Sequence, residues 1–361
     1  MSPRVRLLTW LTAALLAVAV AGLVYVLVVY PREPGPGRGR AVVVAIELDT
    51  SARELAEQLE AEGVVHDAWL FSLYLRLLGA HHTLRTDQRI ALADDLPPAE
   101  VARRVARGLG PRSINVTIPE GFTRFDVAER LEHFGLVRAD AFLSATVDPT
   151  VLRQFDIPGG SAEGYLFPDT YTLRDDRTPT QMIGRMVRSY RRRTAPLERR
   201  YGARLAELRR DLGFGMHEVL TLASVVEREA AVHDERPIIA GVFLNRLRST
   251  TFLPRQRLQA DPTVSYGCRA EPERAPSCAG FRGRITRAML QDPANRYNSY
   301  RHPGIPPTPI CNPGIAAIEA VLAPTQHDYL YFVARGGRRH HFSATLERHN
   351  EAVDDYLRSN E

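Results

Sequence analysis

The sequence has 361 residues, of which 44% are hydrophobic, and this is sufficient for at least two domains with cores of their own. The formal net charge is +5, and every basic residue is arginine because the sequence contains no lysine. We therefore attribute the charge to composition and interpret the arginine-rich stretch 188–210 as a solvated helix face, which excludes nucleic acid as the expected partner.

Residues 7–30 form an apolar run without a charged residue. At about 1.5 Å per residue, a helix of this length spans a hydrocarbon core of about 30 Å. The alternative is a cleaved signal peptide, with a small-residue cleavage site at residues 19–21. Because the apolar run continues to Tyr30, we favour an uncleaved single-pass anchor in the cytoplasmic membrane. Residues 1–6 would then lie in the cytoplasm, and the large C-terminal body would be exported.

A proline- and glycine-rich stretch, residues 31–40, is predicted to be a linker. Residues 41–110 are then predicted to form a small strand–helix–helix–strand module with its boundary near Gly110. Ser51 is the expected cap of the first helix and Gly63 its stop. The later elements are a helix in DAWLFSLYLRLLGA, a strand in RIALA and a further helix in PPAEVARRVARGLG.

Residues 111–361 begin with a strand, a Pro-Glu-Gly turn and a helix from Thr123. From about residue 178 the pattern is mostly helical, and it ends in a short strand pair and a closing helix, so the predicted fold class is α+β. The three cysteines lack metal-ligand spacing. Cys268 and Cys278 bracket a loop that a disulfide would close in an oxidising compartment, and the spacing leaves this open.

Two glutamates, Glu227 and Glu229, lie near the end of a helix predicted over 217–232. At about 100° per residue, Glu227 falls within the apolar arc and Glu229 on the other side, so the two carboxylates diverge. Glu227 is either a functional acid or a buried carboxylate satisfied by an arginine or a backbone donor. Glu229 is either a solvated acid or a general acid whose pKa the helix end and desolvation raise. The residues alone do not decide between them.

The match to one family extends over about residues 41–358, and seven stretches of this sequence occur in that family's order. They are EGYLFPDTY (163–171), LASVVEREAA (222–231), VFLNRLR (242–248), RLQADPTVSYG (257–267), YNSYRHPGIPP (297–307), NPG (312–314) and HFSATLERHN (341–350). The sequence thus resembles the endolytic murein transglycosylases of the MltG, or YceG-like, family.

The resemblance implies a membrane-bound lyase that cleaves bonds between N-acetylmuramic acid and N-acetylglucosamine in nascent peptidoglycan strands. The products carry 1,6-anhydro-N-acetylmuramic acid ends, and cleavage terminates strand elongation. It implies a LysM-like, wall-binding fold for 41–110 and a mainly helical lytic-transglycosylase-type catalytic domain for 111–361. The implied partners are glycan strands, the membrane, penicillin-binding proteins and other wall-synthesis proteins, with no cofactor and no metal.

The resemblance also selects Glu229 as the catalytic acid, which then acts as base. The expected substrate-binding residues are Glu227, Gln259, Asp261, Tyr297 and Asn298. Three of these have structural alternatives, because Asp261 could cap the turn before Pro262, and Tyr297 and Asn298 could serve core packing and a turn. The sequence departs from the family pattern at Ala230, where Ser or Thr is usual, and at Thr308, where Gly is expected.

Two rival functions remain at this point. A peptidoglycan muramidase would use water as the nucleophile, with Asp261 or Glu227 as its second carboxylate. A non-catalytic wall-binding scaffold would keep the anchor and the module but would have a vestigial site.

Overall fold

The computed structural model of the protein describes residues 3–46, 50–79, 88–106, 113–174 and 177–358. The chain divides into two compact units. The first comprises Met1–Asn115 with Phe134–Arg138 and Thr172–Thr178, and the second comprises Val116–His133, Ala139–Tyr171 and Pro179–Glu361. The boundary predicted near Gly110 lies outside the described residues.

The predicted apolar helix is present at the N-terminus. Helix α1 covers Pro3–Val24 and continues as a π-helical turn, Tyr25–Val29, and a 3-10 turn, Tyr30–Arg32. The segment Thr12–Arg32 is long and apolar enough to cross a membrane. Its end is part of the first unit's core, because Val26 and Tyr30 are only 7% and 1% exposed.

The stretch after this helix is held against the first unit rather than free of it. The backbone N–H groups of Gly39 and Arg40 both donate to Asp94 Oδ1, at 2.8 Å each, and Gly37 donates to the Asp94 carbonyl at 2.8 Å. A Cβ on Gly37 would lie 1.9 Å from the Asp94 side chain, so only glycine permits this approach. Glycine here serves close packing and not the flexibility that the composition suggested.

The first unit has the predicted order of strand, helix, helix and strand. The strands β1 and β2 pair antiparallel in register, from Ala41 opposite Ala93 to Ile46 opposite Gln88. Ser51 and Glu54 form a capping box, and Gly63 follows the helix with a φ of +71°. The elements are β1 (Ala41–Ile46), α2 (Ala52–Ala61), α3 (Ala68–Leu77), β2 (Gln88–Ala93) and α4 (Pro98–Ala106).

The remaining elements are mostly helical, as predicted, with two further small sheets in which β3 pairs with β4 and β5 pairs with β6. Up to the catalytic candidates they are β3 (Ser113–Ile118), α5 (Arg124–His133), α6 (Ala139–Thr146), α7 (Pro149–Gln154), β4 (Asp169–Arg174), α8 (Pro179–Arg200), α9 (Gly202–Leu212) and α10 (Met216–Glu229). After them come α11 (Arg236–Arg248), α12 (Asp261–Ala270), α13 (Arg287–Gln291), α14 (Ile315–Leu322), β5 (Tyr331–Arg335), β6 (Arg339–Ser343) and α15 (Leu346–Arg358).

Helix α10 is the centre of the second unit's core. It packs against α11, α12 and α14, and every residue from Val219 to Val226 is buried. The loop after α12 is closed by a disulfide between Cys268 and Cys278, whose Cα atoms are 5.0 Å apart, and the third cysteine, Cys311, is a buried free thiol. A helix packed on nearly all sides holds its last turn in a fixed position.

Candidate active site

The two glutamates lie in the last turn of α10, and their side chains have different surroundings. The backbone leaves the helical conformation at Ala230, with φ −73° and ψ 103°, so Glu229 is the last helical residue. The helix thus ends three residues before the predicted end at 232. The two side chains point to different sides of the helix, as the helical period predicts. One carboxylate therefore lies inside the fold and the other at its edge.

Glu227 is the buried carboxylate of the pair. Its side chain is 6% exposed, one oxygen accepts a 2.6 Å hydrogen bond from the Arg236 guanidinium, and the other accepts a 3.2 Å bond from the Gly314 N–H. The Arg236 side chain is also only 6% exposed. Glu227 is therefore a buried acid satisfied by an arginine and a backbone donor, which is the structural alternative that the sequence left open. Its side chain is not presented to substrate.

Glu229 is partly exposed, and within the described part of the chain its carboxylate accepts no hydrogen bond and forms no ion pair. Removal of water around the carboxyl group raises its pKa to about 7, and repulsion from Asp261 adds to this effect. The charges of Arg246 and Arg228 act in the opposite direction without cancelling it. At neutral pH the group is therefore divided between its acid and its base forms, as general acid–base catalysis requires.

Asp261 is exposed at the first position of α12, and Tyr300 donates a 2.7 Å hydrogen bond to its Oδ1. The helix is capped by Ala260 without a side-chain bond, so Asp261 does not serve as the N-cap. Burial raises the pKa of Tyr300, and the hydrogen bond to Asp261 and the charges of Asp261 and Glu229 raise it further. Glu229, Asp261 and Tyr300 thus form one electrostatically coupled group.

Gln259 precedes this group in an uncommon backbone conformation. Its φ is +54°, and its N–H donates to the Ser299 carbonyl at 3.3 Å. The side chain is partly exposed, and its amide has no hydrogen-bond partner among the residues that the structure describes. An unpaired amide beside an exposed carboxylate retains its capacity to bind sugar hydroxyl or acetamido groups.

Arg246 is the member of the site that sequence reasoning missed. It is 5% exposed, and its Nε donates to the Leu330 carbonyl at 2.6 Å. The guanidinium lies over the rings of Phe243, Phe252 and Phe332, at 5.8, 5.0 and 5.5 Å from their centroids. Burial lowers the pKa of Arg246 to about 10, and the charge of Glu229 opposes this shift. A fixed buried cation of this kind stabilises negative charge on Glu229 after it has given up its proton.

Tyr297 and Asn298 are buried, 5% and 0% exposed. Asn298 donates to the carbonyls of Met289, Leu290 and Asp292 and accepts from the Tyr300 N–H at 3.0 Å. Tyr297 shares a 3.0 Å hydrogen bond with Thr308 and packs edge-on against Tyr266. The expected contacts of these two residues with the glycan are not available in this arrangement, and Asn298 acts instead by fixing the backbone of Tyr300.

A second carboxyl group, Glu163, also has a pKa raised to about 7 by burial. It is 0% exposed and accepts hydrogen bonds from the Arg124 N–H, the Tyr266 hydroxyl and the Asn312 amide at 2.9 to 3.0 Å. A glycan cannot reach it. Access and the absence of a partner, and not a raised pKa by itself, therefore identify Glu229 as the candidate acid.

Comparison with known proteins places the chain in a family. The family model described as YceG-like matches residues 44–355. The chain is 26% identical over 332 residues to a Bacillus subtilis protein named endolytic murein transglycosylase, covering 88% of this chain and 85% of that protein. A Streptococcus pneumoniae protein of the same name is 26% identical over 347 residues, and the match covers 88% of this chain and 59% of that longer protein.

Among solved structures, the chain is similar to a yceG-like protein from Listeria monocytogenes, with a TM-score of 0.54 and 27% identity. The similarity covers 87% of this chain and 99% of that one. Because the family model spans most of the sequence, including every candidate residue above, the chain belongs to the YceG-like family.

Proposed function

We propose that this protein is a peptidoglycan lytic transglycosylase that cuts within glycan strands, between N-acetylmuramic acid and N-acetylglucosamine. The observation that carries the proposal is Glu229, a single accessible carboxyl group without a partner in the described part of the chain and with a pKa near 7. The names of the similar proteins from Bacillus subtilis and Streptococcus pneumoniae agree with it.

The reaction requires one group that first donates a proton and then accepts one. Glu229 in its acid form donates a proton to the glycosidic oxygen, and the bond from that oxygen to C1 of the muramic residue breaks. The cationic sugar is then closed internally, because the Glu229 carboxylate removes the proton of the C6 hydroxyl while O6 bonds to C1. The products are a chain ending in N-acetylglucosamine with a free 4-hydroxyl and a 1,6-anhydro-N-acetylmuramic acid end, with no water consumed. An attacking group on the same sugar supplies a proximity advantage on the order of several kcal/mol.

The neighbours of Glu229 have supporting roles in this proposal. Asp261 raises the pKa of the acid before proton donation, and Arg246 stabilises the carboxylate after it. Gln259 binds sugar hydroxyl or acetamido groups. Glu227 joins α10 to Arg236 and so fixes the turn that carries Glu229.

Replacement of Glu229 by Gln tests the assignment. The amide keeps the shape of the side chain but cannot donate and recover a proton, so we expect anhydro-muropeptide formation on purified sacculi to fall by at least about 100-fold. The circular dichroism spectrum and thermal midpoint should match those of the wild type. Near-full activity in a folded Glu229→Gln protein would remove the chemical basis of the proposal.

A hydrolytic reaction is the second candidate, because Asp261 is an exposed carboxylate whose charge acts on Glu229. In that reaction Asp261 would activate a water molecule or attack C1 itself. Mass spectrometry of the products separates the two, since an anhydro end lacks one water relative to a reducing end. Reducing ends as the main product would replace the lytic function with a muramidase.

The rest of the chain fits a membrane-associated enzyme of wall synthesis. Residues 7–30 anchor the protein in the cytoplasmic membrane, and 41–110 form a LysM-like module that binds the wall. Residues 111–361 carry out the cleavage that ends strand elongation beside penicillin-binding proteins and other wall-synthesis proteins. The Cys268–Cys278 disulfide supports an exported body, because such bonds persist in oxidising compartments.

A further inference from the structure

A groove of about 420 Å³ is lined by residues next in the chain to the candidate acid and to Asp261. Arg228, which immediately precedes Glu229, lines it, and so does Pro262, which follows Asp261. The other walls include Ser265 and Arg269 from α12 and the ring of Phe281. The groove is therefore lined by the chain neighbours of Glu229 and Asp261 but by none of the residues assigned above to proton transfer.

The two arginines of the groove differ in their partners. Arg269 is committed to Asp126 and Glu129, with donor–acceptor distances of 2.7 and 2.9 Å, and its guanidinium lies 4.8 Å from the centroid of the Phe125 ring. Arg228 is exposed, and no hydrogen bond or ion pair joins its side chain to any described residue. The Ser265 hydroxyl is likewise without a partner among the described residues. The groove thus offers one uncommitted cation and one uncommitted hydroxyl above an apolar wall.

The chemistry of the substrate indicates what such a groove would bind. The peptide stem of peptidoglycan is attached through a lactyl ether at O3 of N-acetylmuramic acid, the same sugar whose C1 reacts. A stem must therefore leave the strand beside the catalytic carboxyl group. Stems present carboxylates, amides and short aliphatic side chains, for which a guanidinium, a hydroxyl and an aromatic wall are suitable partners.

We propose that this groove is a stem-peptide subsite in which Arg228 binds a carboxylate of the stem on the reacting muramic residue. The inference rests on the proposed function and adds to it a preference for glycan strands that still carry their peptides. The guanidinium forms a charge-assisted hydrogen bond with the stem carboxylate, Ser265 bonds the stem backbone, and Phe281 packs against the stem's aliphatic part.

The test compares two substrates on the full-length protein in detergent. One is a preparation of uncrosslinked strands with intact stems, and the other is the same preparation after an amidase has removed the stems. The rate of anhydro-end formation gives kcat/KM on each. Because Arg228 also influences the charge state of Glu229, the ratio of kcat/KM on the two substrates is the informative quantity. Any general effect on the acid cancels in that ratio.

For the wild type we expect a ratio in favour of stem-bearing strands. In Arg228→Gln this ratio should fall about tenfold, the effect of losing one partly exposed charge-assisted hydrogen bond. Arg228→Lys should retain most of it, since the charge remains. The matched control is Arg188→Gln, which removes an exposed helical arginine of α8 outside the groove and should leave the ratio at the wild-type value.

The outcomes are distinguishable. A wild-type enzyme that cleaves both substrates equally well, or an Arg228→Gln protein with an unchanged ratio, would overturn the subsite and leave the proposed function intact. A wild type that forms no anhydro ends from either substrate would overturn the proposed function and the subsite with it. For the wild type, amidation of the stem carboxylates should lower the preference for stem-bearing strands about tenfold, as Arg228→Gln does, and an undiminished preference would contradict the role of the carboxylate.

Discussion

At the scale of single residues, the site depends on the different surroundings of two carboxylates that are two positions apart in the chain. Glu227 has a buried arginine and a backbone N–H as partners, whereas Glu229 has only neighbours that act on it through their charge. The helical period places them on different sides of α10. The packing around this helix therefore gives the two carboxylates different surroundings and different chemistry.

The first prediction at this scale concerns pH. The free enzyme needs Glu229 in its acid form, so kcat/KM should fall as the pH rises through about 7. Asp261 raises that pKa, so Asp261→Asn should lower it and move the alkaline limb to lower pH. The expected shift is about 0.5 to 1 pH unit, because Asp261 is exposed and a like charge screened by solvent is worth about 1 kcal/mol.

The profile of kcat/KM against pH, measured between pH 5 and 9, checks this expectation. Asp234→Asn is the control, because Asp234 is an exposed acid paired with Arg339 and does not act on Glu229. An alkaline limb that stays in place or moves to higher pH in Asp261→Asn would contradict the coupling.

A second prediction follows from Glu163, whose folded-state pKa of about 7 lies above the value of 4.5 expected when it is exposed. The unfolded chain releases this proton first, so the group destabilises the fold progressively as the pH rises from 4.5 to 7. The cost is absent at lower pH and complete at higher pH, at roughly 3 kcal/mol for a fully buried group. In Glu163→Gln this part of the pH dependence of the free energy of unfolding should disappear. Urea unfolding at pH 5 and pH 8 measures it. A dependence as steep as that of the wild type would contradict the assignment.

At the scale of elements, the link between α10 and α11 is a buried ion pair. Arg236 at the start of α11 binds Glu227 near the end of α10, and both side chains are 6% exposed. Removing Glu227 leaves the buried Arg236 with only a longer, 3.4 Å contact to Glu120, so Glu227→Ala should lower the free energy of unfolding by about 3 kcal/mol. Asp234→Ala, which breaks the exposed pair with Arg339, should lower it far less, because exposed ion pairs add little stability. Chemical denaturation, monitored by near-UV circular dichroism, measures the free energy of unfolding of both variants. Equal losses of stability in the two would contradict a stabilising role for the buried ion pair.

Much at this scale was predictable from periodicity and capping. The strand–helix–helix–strand order, the Ser51 cap and the last turn of α10 all follow from residues close together in the chain. Arg246 was missed, although the helical period of the apolar residues indicates its position. It lies three, four and seven residues after the apolar Phe243, Val242 and Ile239. The Tyr300–Asp261 bond joins residues 39 positions apart, and no local pattern could indicate it.

At the scale of the whole molecule, composition was a poor guide to the stretch between the N-terminal apolar helix and the first strand. Proline and glycine suggested a free linker, but Gly35, Gly37 and Gly39 approach the turn at Asp94 and Asp95 closely enough to form hydrogen bonds. The same residue type provides flexibility in a solvated chain and close approach in a packed one, and only the distant partner decides between these roles.

This attachment can be tested by proteolysis. Asp94 is 7% exposed and accepts the N–H groups of Gly39 and Arg40, so Asp94→Ala should release the stretch. Cleavage by trypsin at Arg38 and Arg40 should become at least about tenfold faster, since the loss of even one bond to a charged acceptor costs about 1.5–3 kcal/mol. Asp95→Ala is the control, as the structure shows no hydrogen bond to its carboxylate from a described residue. Equal cleavage rates in the two variants would contradict the role of Asp94.

The burial of Tyr30 has a practical consequence for anyone who wishes to prepare this enzyme without its N-terminal apolar helix. The ring packs edge-on against Tyr74, with centroids 6.0 Å apart. A truncated protein that starts at Arg32 would leave a hole where that ring belongs, at a cost of about 3–5 kcal/mol. This is comparable with the entire stability of many small domains. A well-behaved soluble version should therefore begin before Val26 and replace the outward-facing apolar side chains around it with polar ones.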